Sequence, residues 1–91
     1  MPRPRVRRRL RFQAKANYFK PAGVALSQLD EVLITRDELE ALKHYHFDQL
    51  DQTAAAKEMA ISQPTFARTV KKAHGKIADA LVNAKAIHLE E

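Results

Sequence analysis

The 91-residue chain contains no cysteine and no tryptophan, and only two glycines and four prolines. The missing cysteine excludes a disulfide framework, a thiolate zinc site and a cysteine nucleophile, and fits a reducing compartment. No apolar run approaches the ~20 residues that span a bilayer. The arginine-rich start lacks the apolar stretch of a secretory signal. No glycine-rich phosphate loop, nucleophile elbow or His-Ser-Asp set is present, so the chain is not expected to be an enzyme and no cofactor is expected. At this length there is one domain at most, with a core small enough that a homodimer is compatible with it.

Charge is plentiful but unevenly placed. The net charge is +5, yet residues 1–29 carry eight basic side chains and no acid, while residues 30–91 carry eight basic against eleven acidic. A second basic patch, Arg68 to Lys76, lies inside this otherwise acidic body. Two separated basic patches suit a polyanion gripped at two places.

Residues 1–11, MPRPRVRRRLR, hold six arginines and two prolines and little that packs. They read as a disordered or extended arm. Arg3, Arg5, Arg7, Arg8, Arg9 and Arg11 are its phosphate-binding candidates, on the DNA backbone or in a minor groove. Taken alone, such an arm suits RNA or anionic lipid as well. Its prolines break an amphipathic helix, however, and almost nothing apolar faces a bilayer, so no membrane partner is expected. Residues 12–34 form a lead-in segment whose aromatics lay the arm against the body. Within it, Leu26, Leu29, Val32 and Leu33 are helically spaced while Val32-Leu33-Ile34-Thr35 has strand character, and residues 26–34 are read as a short helix running into an extended link.

Thr35 and Glu38 fit a capping box, and the helix they open is expected to bury Leu39, Leu42 and Tyr45 or His46. Asp37, Glu38 and Glu40 near its start favour the helix dipole, and the same acidic face is a candidate docking surface. Asp51 caps the next helix, whose buried face is Ala55, Ala56 and Met59; small side chains there let two helices cross closely. After the turn Ala60-Ile61, Ser62 caps a third helix with Pro64 in its first turn. Its apolar stripe is Phe66, Val70, Ala73, Ile77, Leu81 and Ala84. Gly75 within it is expected to cost about 1 kcal/mol relative to alanine.

Two helices joined by a short turn, the second one basic, have the layout of a DNA-reading helix-turn-helix. Gln63, Thr65 and Arg68 fall where first-turn residues meet base edges: Arg68 suits guanine O6 and N7, Gln63 adenine N6 and N7. Ser62, Lys71, Lys72 and Lys76 fall toward phosphates. Of the four histidines, His44 and His46 are two apart and point to different faces of a helix, so no metal site is expected. The tail Ile87-His88-Leu89 adds a short strand or frays, and is a candidate dimer contact.

Four blocks carry a resemblance: MPRPRVRRR, Asn17–Gly23 (NYFKPAG), Asp37–Leu42 (DELEAL) and Ala78–Ala86 (ADALVNAKA). In this order they closely resemble a family of short prokaryotic proteins, the domain of unknown function 134, whose helix-turn-helix is similar to region 4 of sigma factors. The resemblance implies an all-α fold: a sigma-region-4-like, three-helix core without a wing, spanning residues 35–86, with residues 87–91 as a tail. It implies a cytoplasmic, nucleoid-associated protein that binds double-stranded DNA and regulates transcription. Region-4 domains also contact RNA polymerase, so the alternative is a protein-interaction module docking on polymerase or another regulator. Three positions depart from the family pattern. Ala60 stands where glycine is usual at the turn, Gln63 where a basic residue often follows the capping serine, and Arg11 where a cysteine is frequent.

Overall fold

The computed structural model describes residues 10–91. Its helical part follows the cap signals. Thr35 accepts from the Glu38 backbone N–H, and the Glu38 carboxylate reaches back to the Thr35 N–H at 2.8 Å, which opens α1 (Arg36–Leu42). A π turn, Lys43–Phe47, continues α1. Asp51 Oδ1 accepts from Ala54 N–H at 2.8 Å at the head of α2 (Gln52–Met59). Ser62 Oγ accepts from Thr65 N–H at 3.2 Å and opens α3 (Gln63–Asn83), with Pro64 in the first turn, where a missing N–H leaves no hydrogen bond unmade. Between α2 and α3 the chain turns through Ala60, whose φ of 59° and ψ of 43° are left-handed, as a helix C-cap requires.

Phe66 and Met59 are fully buried in the helical core, with Ala41, Ala55, Ala56 and Val70 around them. Tyr45 meets Phe66 edge to face at 6.1 Å between ring centroids. The alanines keep the contact face of α2 small beside Met59 and Phe66, and α2 packs against both α1 and α3.

The expectation of an all-α fold is overturned by a three-stranded mixed sheet, which makes the architecture mixed α/β. Strands β1 (Tyr18–Phe19), β2 (Glu31–Ile34) and β3 (Ala86–Leu89) are ordered β1-β3-β2. β3 runs antiparallel to β1, pairing Tyr18 with His88, and parallel to β2, pairing Val32 with Ile87 and Ile34 with Leu89. The expected short helix is a 3-10 turn, Leu26–Gln28, and the strand character of residues 32–35 is realised in β2. Of the two readings of the tail the strand is the one formed, and it is the central one of the sheet. Neither four-residue segment holds a sheet alone. They form one because Ile34, Ala86 and Leu89 are buried together with Ala73 and Ala80 as β2 packs on α3.

Two helix faces are also corrected. The α3 stripe continues from Val70 and Ala73 through half-buried Ile77 to Ala80, whereas Leu81 and Ala84 are exposed. At ~100° per residue, Leu81 lies about 60° round the helix from Phe66 and has turned out of the seam. On α1 the fully buried residues are Glu38, Glu40 and Ala41, followed by His44 in the π turn. Leu39 and Leu42 are half-buried, and His46 is exposed. The helix can turn its acids inward because each finds a hydrogen-bonding partner there. The leucines instead border a groove of about 680 Å³ with Phe12, Phe19, Phe47 and Leu89. Among the described residues, no helix is long and apolar enough to cross a membrane.

Two alanine–glycine exchanges test the backbone. Ala60 holds a left-handed conformation that costs a Cβ-bearing residue about 1 kcal/mol or more. Gly75 lies inside α3, where an added Cβ meets nothing within 4 Å. Ala60→Gly and Gly75→Ala should therefore each stabilise the fold by roughly 0.5–1 kcal/mol in urea denaturation, additively. Acid should act through Asp79, whose carboxyl is held below the usual carboxylate range by the Lys85 ammonium and then the Asn83 amide. Its contribution is present above the unfolded aspartate value of ~3.9 and is lost as pH falls through the lowered folded value. Asp79→Asn should flatten the fall of stability with pH in that acid window.

Candidate nucleic-acid interface

The turn into α3 is fixed from inside. Ala60 N–H donates to the carbonyls of Ala56 and Lys57, and Ile61 N–H donates to Ala56 O at 3.1 Å. Ser62 Oγ also donates to Thr65 Oγ1 at 2.9 Å, and Thr69 Oγ1 donates to the Thr65 carbonyl. The Gln63 amide donates to Gln52 Oε1 at 2.6 Å, tying the first turn of α3 to the first turn of α2. An Arg68 guanidinium nitrogen lies 3.3 Å from Thr65 Oγ1 and donates to it. The first two turns of α3 are thus held by side-chain hydrogen bonds as well as by packing.

Outward from this frame, Ser62, Gln63, Arg68, Lys71 and Lys72 are exposed, and Thr65 is half-buried beneath them. No acid occurs in the sequence between Glu58 and Asp79. Beside the packed α1–α3 contact lies a groove of about 560 Å³, with Thr65, Arg68, Thr69, Lys72 and Lys76 on its α3 side and Thr35, Asp37 and Glu38 on its α1 side. Gln63, Thr65 and Arg68, the candidates for base readout, are therefore brought to one end of α3, with Lys71 and Lys72 following.

Lys76 is placed differently from its sequence assignment. Its ammonium lies 2.7 Å from the Leu33 carbonyl and 2.9 Å from Glu38 Oε1, bridging β2, α1 and α3. Of the arm, Arg3, Arg5, Arg7, Arg8 and Arg9 lie outside the described residues, and Arg11 is exposed. The root of the arm is gripped at two points. Phe12 N–H donates to Glu40 Oε1 at 2.9 Å, and the Arg36 guanidinium donates to the carbonyls of Leu10 and Phe12 at 3.0 and 3.3 Å. Leu10 packs against the helical core.

Sequence reasoning missed these grips because it read Glu40 as an exposed acid, serving the helix dipole or a docking face. Glu40 is buried and its Oε2 lies 2.9 Å from His44 Nε2; His44 Nδ1 lies 3.5 Å from Asp48. The Glu40, His44, Asp48 spacing of four was the available signal, since such residues line one side of a helix. The Lys43 ammonium and then His44 hold the Asp48 carboxyl below its usual range. With Glu38 and Glu40 buried, the acidic docking face expected on α1 loses two of its three acids.

Comparison with known proteins places the chain. The model of the family described as "Protein of unknown function DUF134" matches residues 1–91. A UPF0251 protein of Thermoanaerobacter pseudethanolicus is 47% identical over 90 residues, covering 99% of this chain and 76% of the relative. UPF0251 proteins of Moorella thermoacetica and Desulforudis audaxviator are 47% and 43% identical over 90 residues. This chain spans 60% and 59% of their respective lengths. No solved structure matches the chain. The chain belongs to the DUF134 family, also named UPF0251, of uncharacterised prokaryotic proteins.

Proposed function

We propose that the chain is a sequence-specific double-stranded DNA-binding protein and transcriptional regulator, with α2 and α3 forming a helix-turn-helix like that of sigma region 4. The observation that carries this reading is the N-terminal half of α3. Gln63, Thr65, Arg68, Lys71 and Lys72 project from one end of a helix whose opposite side is locked into the core. A helix about 30 Å long, capped by serine and preceded by a tight left-handed turn, fits a major groove by its first turns. The Gln63–Gln52 hydrogen bond supports readout because it orients the Gln63 amide before any base arrives. Arg68 supplies the fork for guanine, and Lys71 and Lys72 supply charge to phosphates. The arginine-rich arm adds a grip on backbone or minor groove that carries little sequence information.

Selection from random double-stranded DNA at near-physiological salt, with a single-stranded RNA pool in parallel, tests the reading. An enriched DNA motif is expected. Binding to both pools without a motif would sink it and leave the arm as a general polyanion grip. Arg68→Ala should remove preference at one base position, a loss of about 1–3 kcal/mol of discrimination. Arg7→Ala and Arg8→Ala should instead weaken every sequence alike and flatten the salt dependence. Lys76→Met separates structure from binding. It strands the buried Glu38 carboxylate and should cost roughly 2 kcal/mol of stability, less than a fully buried pair because Lys76 is partly exposed. The salt slope of DNA binding should stay unchanged.

A further inference from the structure

His46 and His74 stand 28 positions apart in the chain, yet their Nε2 atoms approach to 2.7 Å. Their ring centroids are 4.9 Å apart with the planes tilted by 48°. His46 belongs to the π turn that continues α1, and π turns inside helices re-aim side chains, often at functional positions. Tyr45 packs its ring edge against His46 at 4.8 Å and also against the buried Phe66, so the His46 side of the pair is braced by the core. His74 follows the buried Ala73 on α3 and faces outward. Two imidazole nitrogens, carried by two different packed elements, are thus aimed at one point on the surface.

Between neutral rings this contact is one N–H donating to one lone pair. The same convergence offers more. If both rings carry their proton on Nδ1, two Nε2 lone pairs meet at an exposed point, which is what a borderline metal ion requires. In a tetrahedral site with metal–nitrogen bonds of ~2.0–2.1 Å, ligand nitrogens lie about 3.3 Å apart, so the rings need to part by only about 0.6 Å. Both side chains are exposed, so that movement is not blocked by core packing. The other histidines have different surroundings. The Nε2 of His44 faces Glu40 in the interior, and His88 stacks on Tyr18 with centroids 4.3 Å apart.

We propose that His46 and His74 form a two-imidazole binding site for a divalent transition-metal ion of the zinc, nickel or copper class. The ion joins the π turn after α1 to the middle of α3, and water completes its coordination. Among the described residues no group of three His, Cys, Asp or Glu side chains gathers to hold a metal, so the site is an open surface clip. Imidazole donors exclude magnesium and calcium, which take oxygen ligands. The ligands come together only in the folded chain, so the ion stabilises the native state by mass action. This proposal does not depend on DNA binding.

The test uses untagged protein in a metal-free, mildly alkaline buffer. Equilibrium dialysis against zinc is followed by thermal melts with zinc and, separately, magnesium. The wild type should retain one zinc ion per chain and gain several degrees in melting temperature, with no response to magnesium. His46→Ala and His74→Ala should each lose both the retained ion and the shift, while His88→Ala behaves as the wild type. Both substituted residues are exposed, so each variant should fold, which far-ultraviolet circular dichroism checks. No retained zinc, half an ion per chain, or an unchanged shift in His46→Ala would overturn the site and leave a simple imidazole–imidazole hydrogen bond.

Discussion

One carboxylate oxygen joins the three parts of this molecule. Glu38 Oε1 accepts the Thr35 N–H that opens α1 and the Lys76 ammonium that projects from α3, and the same ammonium reaches the Leu33 carbonyl in β2. Helix cap, helix crossing and sheet edge therefore share a single buried charge. Such an arrangement adds less net energy than its short distances suggest, because both ions lose hydration. What it adds is register: a slip of α3 would leave the carboxylate buried without its cation, and a slip of β2 would take the Leu33 carbonyl from the ammonium.

The junction also explains which elements were legible in the sequence. The caps Thr35, Asp51 and Ser62, the small face Ala55-Ala56-Met59 and Pro64 act over three or four residues, and each stands where its local chemistry puts it. The turn was legible too, with Ala60 standing where the family usually has glycine, and its left-handed backbone is the physical reason for that preference. The sheet was not. β2 and β3 are short, they pair across more than fifty residues, and their apolar positions serve a helix, strand or tail equally well on paper. The same limit partly hid the buried side of α1, where apolar periodicity favoured Leu39 and Leu42 over Glu38 and Glu40. Those acids bond Thr35 and His44 nearby, but also Phe12 and Lys76, 28 and 38 positions away.

The proposed reading surface shows the same division. Exposure of Gln63, Arg68, Lys71 and Lys72 followed from the apolar seam behind them, a local property of one helix. Lys76 has the same charge and lies one turn further on, but tertiary contacts turned it into a strut. His46 and His74 were individually ordinary polar residues, and only the packing of the π turn against α3 made them a pair. The root of the arginine arm is likewise a tertiary product. Glu40 and Arg36 hold backbone atoms of residues 10–12, so α1 determines where the arm leaves the body.

The central place of β3 bears on the order in which the molecule is made. Both outer strands pair with β3, and β3 is encoded after every helix. A chain emerging from the ribosome can pack α1, α2 and α3 through contacts close in sequence, but β1 and β2 have no partner until residues 86–89 follow. For that interval β1 and β2 lack their ladder partner, and the segment is held to the helical unit by side-chain grips such as Glu40 and Arg36 on residues 10–12 and Lys76 on Leu33. Pairing with residues 86–89 then adds the backbone ladder to those grips.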